Sequence, residues 1–550
     1  MKQILKTTSF ALFFALFFVG CQGTNSKTDN SEDLLVMESI DDISQQIPRT
    51  SPPPPPPTIE EVPDEEIEEE FEFESQELDK EEIHDLSPMN KMEKKKERVD
   101  KMAPIEKIHE NSFINTKKAP VSTFSVDVDR AAYTNIRYSL THGQMPRKSQ
   151  VRIEEMINYF KYNYPQPTTA HPFSINTEFA ACPWNKKNRL AMIGLQGRLV
   201  GNEKMPAMNL TFLIDVSGSM SEDIAMMKEA FKMLVDKMRP QDRIAIVVYA
   251  GASGLVLNST SGKNKNVIKA ALTKLEAGGS TAGSEGINLA YKVAKKNFIK
   301  NGNNRVILAT DGDFNVGPSS DEALVKLIEK RREEGVFLSV LGFGNGNYQD
   351  VKMEKLADNG NGNYAYIDNI DEAKKVFITE MSGTLYTIAK DVKLQLEFNP
   401  KYVKSYRLIG YENRVLRKED FDNDAKDAGD IGAGHTVTAI YEIVPARRTT
   451  NKDLVNIKFR YKKPDAKTSQ LLAVKGIDTG KKWSNASQNL RFAASVASFG
   501  MLLKDSQYKG KATYDKVKNW ATAAKGVDLD GYRSEFISLI ETASTLSEIR

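Results

Sequence analysis

Between Asn209 and Phe377, short apolar runs alternate with longer segments whose apolar residues recur every three or four positions. The short runs lie at 210–214, 243–249, 305–309 and 336–342. The longer ones lie at 224–238, 267–275, 286–299, 322–332 and 351–357. Short runs rich in Val, Ile and Leu fit strands buried on both faces, and helical periodicity fits helices that bury one side. The alternation predicts an α/β fold, a doubly wound and mainly parallel sheet with helices on both faces. Ligands of such sheets gather at the carboxyl ends of the strands, near the point where strand order reverses.

The flanks follow other patterns. Residues 173–180 and 190–199 before this region, and 393–398, 403–409, 436–444 and 454–461 after it, read as strands. We expect them to form one β-sandwich into which the α/β unit is inserted. Helical spacing of Ala131, Ile136, Tyr138 and Leu140 places a helix at 127–142, ended by His142-Gly143. A second helix at 152–162 is stopped by Pro165, and three more at 490–503, 513–524 and 532–546 close the chain.

The front of the chain has neither period. Lys2 and Lys6 precede an apolar stretch at 10–19, too short to cross a bilayer core of roughly 30 Å as a helix. This start reads as a signal peptide over residues 1–20. Phe18-Val19-Gly20-Cys21 resembles the lipobox of bacterial lipoproteins, which implies that Cys21 is acylated and becomes the new N-terminus. Gln22 beside it implies, by the enterobacterial sorting pattern, an outer-membrane address. Cys182 is then a lone thiol and is expected in a core.

Residues 21–118 read as a disordered tether. The run Pro52 to Pro57 favours a polyproline II rod of roughly 19 Å. Acidic residues crowd 60–82 and basic ones 91–101, so the segment lacks the apolar surface to offset chain entropy. Order is expected from about Ser122. The division that follows is a signal at 1–20, a tether at 21–118, an N-terminal associated region at 119–205, the α/β unit at 206–385 and a C-terminal associated region at 386–550.

Charge and motif content narrow the function. The chain has 550 residues, 76 basic and 74 acidic, for a net charge of +2, which gives no footprint for nucleic acid. The 5 histidines are scattered, and no Walker phosphate loop, Gly-x-Ser-x-Gly elbow or His-Glu-x-x-His helix occurs. An enzyme is therefore not expected. Asp420, Asp422 and Asp424 alternate, but a calcium loop needs Gly and a closing Glu where Ala425 and Ile431 stand, so this reads as a solvated loop.

The strand ends carry the candidate chemistry. The first strand runs into Asp215-Val216-Ser217-Gly218-Ser219, three oxygen-bearing side chains at alternate positions on a turn. A later strand runs into Asp311, and the glycine-rich loop 278–283 carries Thr281. Hard divalent cations take about six oxygens, which such a set approaches. Asp-x-Ser-x-Ser, a loop Thr and a strand-end Asp resemble the metal-ion-dependent adhesion site of von Willebrand factor type A domains. The resemblance implies Mg²⁺, or Mn²⁺ or Ca²⁺, held by Ser217 and Ser219 directly and by Asp215, Thr281 and Asp311 directly or through water. It also implies a protein partner that offers an acidic side chain to the open metal position.

The flanking segments 124–131, 152–160 and 427–438 resemble those of a group of bacterial type A domain lipoproteins. The overall expectation is a lipid-anchored, metal-dependent protein-binding protein of the cell envelope. The alternative implied by other type A domains is a subunit working with an AAA-type ATPase, and a hydrolase ranks below both.

Overall fold

The computed structural model describes residues 109–550, except 252, 280–282, 313–320, 345–349, 381–382, 384–385, 448, 465 and 550. The signal, Cys21 and the tether up to residue 108 lie outside the described residues, and so does Thr281.

Strands β1 (Ile114–Asn115), β2 (Val121–Ser125), β3 (Phe173–Ala181) and β4 (Arg189–Gly197) come first. The central region supplies β5 (Met208–Asp215), β6 (Arg243–Tyr249), β7 (Ser253–Ser261), β8 (Asn303–Thr310), β9 (Val336–Phe343) and β10 (Tyr364–Ile367). After it come β11 (Thr387–Phe398), β12 (Val403–Ile409), β13 (Val415–Leu416), β14 (Ile431–Gly432), β15 (Thr436–Pro445), β16 (Lys452–Lys462) and β17 (Gln470–Asp478).

The central sheet has the order β10-β9-β8-β5-β6-β7. All neighbours are parallel except β7, which turns back antiparallel on β6 at the edge. Every residue of β5 is buried, as the continuous apolar run requires. Helices Ile224–Lys237 and Lys265–Thr273 cover one face with Phe231, Leu234 and Ile268. Helices Gly283–Lys296, Asp321–Glu333 and Asp350–Asn359 cover the other with Ile287, Ile328 and Leu356. From β5 the chain builds outward to β6 and β7, then returns to place β8 on the other side of β5. The carboxyl ends of β5 and β8 therefore form the switch point where ligands of such sheets bind.

The two flanks make one sandwich, with sheets ordered β1-β12-β15-β4-β3 and β13-β2-β11-β16-β17. β4, before the α/β unit, pairs antiparallel with β15, after it, from Thr436↔Gln196 to Ile443↔Arg189. The α/β unit is thus inserted between the halves of the sandwich. Ala191 and Ile193 of β4 join the sandwich core with Leu394 and Phe459, while Leu190 and Met192 face outward. There they meet the helices Ile153–Asn158, Gln488–Leu503 and Tyr532–Glu548. Burial on both faces explains why β4 is apolar without alternation.

Several boundaries differ from the sequence reading. Residues 109–118, read as the end of the tether, belong to the ordered chain: β1 pairs antiparallel with β12, and the buried Thr116 hydroxyl donates to the carbonyls of Val403 and Lys404. Edge pairing through the backbone needs no apolar period, so the pattern carried no sign of it. β7, β10 and β17 were also not foreseen. β7 and β17 are edge strands with largely exposed or half-exposed side chains. The expected helix 152–162 ends at Asn158, and Tyr159, Phe160, Tyr162 and Tyr164 beyond it are buried in the helical core. Cys182 is a buried free thiol, as expected; burial and the nearby Glu442 push it above its ordinary pKa. The loop with Asp420, Asp422 and Asp424 is spent on local bonds: Asp420 accepts from the Arg417 N–H, and Asp424 from that of Ser469.

Candidate metal centre

Asp215 is the last residue of β5 and fully buried. A carboxylate in that position must be satisfied locally. Its Oδ1 accepts the Ser217 N–H at 2.9 Å, and its Oδ2 accepts the Tyr249 hydroxyl at 2.9 Å and the Thr310 hydroxyl at 3.2 Å. Tyr249 ends β6 and Thr310 ends β8, so three neighbouring strands aim at one carboxylate. Burial pushes Asp215 above the ordinary carboxylate range; bonds from Ser217 and Tyr249 pull it down, and the charge of Asp311 adds to the rise.

Beyond Asp215 the backbone turns outward. Ser217 is buried and Ser219 exposed, with their hydroxyl oxygens 3.0 Å apart. Adjacent ligands of an octahedral ion with bonds near 2.1 Å sit roughly 3 Å apart, so the hydroxyls already keep a fitting separation. The turn is pinned to the loop that carries Thr281: the Gly218 N–H donates to Gly279 O at 3.1 Å, and the Gly278 N–H to Val216 O at 2.7 Å. Gly279 adopts φ +90°, a left-handed conformation natural to glycine.

Asp311 follows β8 directly and is half-buried. It shares the edge with Asp223, which the sequence reading did not single out. A Cβ built on Gly344, after β9, would lie 2.8 Å from Asp223 Oδ2 and 3.5 Å from Asp311 Cβ. Burial raises the Asp223 carboxyl, and the charges of Glu222 and Asp311 raise it further. Asp223 is the N-cap of helix Ile224–Lys237 yet makes no capping bond. An acid just before a helix is ordinarily a cap, so its position gave no sign of another role.

The structure therefore brings Asp215, Ser217, Ser219 and Asp311 to one sheet edge, with Thr281 on a loop latched to it but outside the described residues. The donor set is two carboxylates and two hydroxyls, all oxygen, with mutual repulsion between the acids. That chemistry fits a hard divalent cation.

The family matches follow the same division. Residues 209–378 match the von Willebrand factor type A domain, residues 101–192 a von Willebrand factor family, and residues 383–546 the family described as uncharacterized protein YfbK, C-terminal. Over 458 residues the chain is 43% identical to the uncharacterized protein YfbK of Escherichia coli strain K12, covering 78% of this chain and 79% of that protein. The chain belongs to the YfbK family. Over a shorter stretch, the uncharacterized protein sll0103 of Synechocystis is 27% identical over 190 residues, 34% of this chain and 44% of that one. A solved von Willebrand factor type A protein from Catenulispora acidiphila is 18% identical with a TM-score of 0.40, covering 66% of this chain and 89% of that one. Type A domains are typically interaction modules and commonly bind a divalent metal, which gives the YfbK family chain a protein-interaction domain.

A different acidic group lies away from this edge. Carboxylate oxygens of Asp129, Glu354 and Asp358 fall within 4.8 Å of one another. Asp129 accepts the N–H of Tyr364, the first residue of β10, which places the group at the amino ends of the strands. The Arg414 guanidinium binds Asp129 at 3.1 Å, Glu354 at 3.0 Å and Asp358 at 2.8 Å, so this group already has a cation.

Proposed function

We propose that the protein is a lipid-anchored adhesion or assembly factor of the cell envelope that grips a protein partner through a divalent metal. Asp215, Ser217, Ser219, Thr281 and Asp311 hold Mg²⁺, or Mn²⁺ or Ca²⁺ in its place. The ion's remaining position takes a Glu or Asp side chain of the partner. The observation that carries this reading is the convergence of Asp215, the paired Ser217 and Ser219 hydroxyls and Asp311 at the switch point of the central sheet. An ion short of ligands on its solvent side is electrophilic, and a carboxylate is the hard anionic donor that a protein surface supplies.

Crosslinking in intact cells tests it directly. Partners are expected to be captured with Mg²⁺ present and lost with a chelator, and capture that ignores the chelator would refute metal dependence. Working with an AAA-type ATPase is the alternative, distinguished by the partner recovered. A hydrolase ranks below both readings.

The membrane part of the proposal rests on Cys21. Several acyl chains, at about 0.8 kcal/mol per buried CH₂, make attachment durable, with the outer membrane as the expected address. Cys21→Ser is expected to move the protein from the membrane to the soluble fraction on ultracentrifugation. Retention in the membrane fraction would argue for a different anchor.

A further inference from the structure

Arg305 lies near the start of β8 and is 2% exposed. Its guanidinium donates to the Ser339 hydroxyl at 2.6 Å and sits 5.5 Å from the centre of the Phe337 ring. Nε has no hydrogen-bond partner, and no carboxylate of the described residues forms an ion pair with it. Burial pulls its pKa down only to about 10, so it stays charged at neutral pH. Buried charges are ordinarily paired, because water no longer screens or solvates them. This one lacks its anion.

Its position in the sheet says what surrounds it. Arg305, Ile307 and Ala309 share one face of β8. Ile307 and Ala309 lie in the core under helix Ile224–Lys237. At the amino end of that face a cavity of about 270 Å³ lies beside Arg305, between the segment before β14 and the end of helix Asp350–Asn359. Asp358, Asn361, Asn363, Asp427 and Asp430 line it with Arg305. Asp430 interacts with Arg305 through its charge but makes no ion pair with it; its Oδ1 accepts the Asp391 N–H at 3.2 Å. Burial raises the Asp430 carboxyl to about 7, and it lines one cavity with Arg305 without touching it.

We propose that this cavity binds a small zwitterion, an α-amino acid, with its carboxylate on Arg305 and its ammonium group on Asp430. Arginine offers a planar fork suited to a carboxylate, and the two asparagines add neutral donors and acceptors. The lining is charge-mixed, with Asp358, Asp427 and Asp430 set against Arg305, Arg414 and Lys426, which suits a ligand carrying both signs better than a multiply charged anion. The volume falls just below that of pockets for drug-sized ligands, which suits a ligand of amino-acid size. The site is separate from the metal edge, at the opposite end of the strands, and does not depend on it. It joins β8 of the α/β unit to the loop before β14, so an occupant ties the inserted unit to the sandwich.

Calorimetric titration of the full chain with the common amino acids singly, and with acetate, methylammonium and orthophosphate, tests the proposal. At least one amino acid is expected to bind roughly tenfold or more tightly than acetate or methylammonium alone. Arg305→Lys and Asp430→Asn are each expected to weaken that binding at least about tenfold. Asp430→Asn keeps the acceptor for the Asp391 N–H, so it remains informative should Arg305→Lys fail to fold. Binding by no amino acid, acetate or orthophosphate binding as tightly as the amino acid, or unchanged binding by Asp430→Asn would overturn it.

Discussion

Asp215→Ala is expected to lower Mg²⁺ affinity at least about 100-fold, read by calorimetry on the purified chain, and to abolish chelator-sensitive capture of the partner. The size follows from what the carboxylate does. It is one of two carboxylates in the proposed donor set and is held by three donors, the Ser217 N–H and the hydroxyls of Tyr249 and Thr310. Groups that merely orient a ligand are worth roughly 10–100-fold in metal affinity, and removing a charged member of the donor set exceeds that. Tyr249→Phe, which deletes one orienting bond, should fall within the smaller range. Asp215→Ala also removes a buried acid whose charged form burial disfavours, which offsets part of the cost of taking an acceptor from Tyr249 and Thr310. Equal affinities for wild type and Asp215→Ala would sink the metal site.

The parts of this architecture that the sequence revealed are those in which burial imposes a period. The strands around β5 read cleanly because both faces are covered, and a parallel sheet puts strand-end residues such as Asp215 and Asp311 at one edge. Ser217 and Ser219 followed from their spacing on the turn. Asp223 escaped because an acid at a helix start is ordinarily a cap, and only the fold shows that it makes no capping bond. β1 escaped because backbone pairing at an edge leaves no mark in side-chain pattern. Arg305 sat inside a run read as a strand, and its meaning depends on what lies beside it. Distant segments line that cavity, and spacing along the chain does not record which ones.

Arg414→Leu is expected to destabilise the ordered chain by about 1–3 kcal/mol near neutral pH, between the worth of an exposed pair and the loss on breaking a fully buried one, because Arg414, Asp127 and Asp358 are only partly buried. Arg414 lies between β12 and β13 and binds Asp127 at 2.9 Å, Asp129 at 3.1 Å, Glu354 at 3.0 Å and Asp358 at 2.8 Å. Glu354 and Asp358 belong to a helix of the inserted unit, and Asp127 and Asp129 precede the helix Ala131–Thr141. One guanidinium thus ties three parts of the fold together. Even with it present, burial and the neighbouring acids hold Asp129 above its ordinary value and raise Asp358 to about 7. Such an acid binds more protons folded than unfolded between its ordinary value of 3.8 and about 7. Its contribution to stability is full below that window and is lost as pH rises through about 7. Without Arg414 the Asp129 and Asp358 carboxyls are pushed higher still, so the deficit should be largest above neutrality and shrink on acidification. Urea unfolding at a series of pH values reads this. A deficit under about 1 kcal/mol at neutral pH, the worth of an exposed pair, would show that the cluster is effectively solvated. A deficit that grew on acidification would reverse the sign and place the destabilisation elsewhere. Arg414→Lys should fall between the two, because one ammonium keeps the charge but lacks the planar fork that reaches several carboxylates at once.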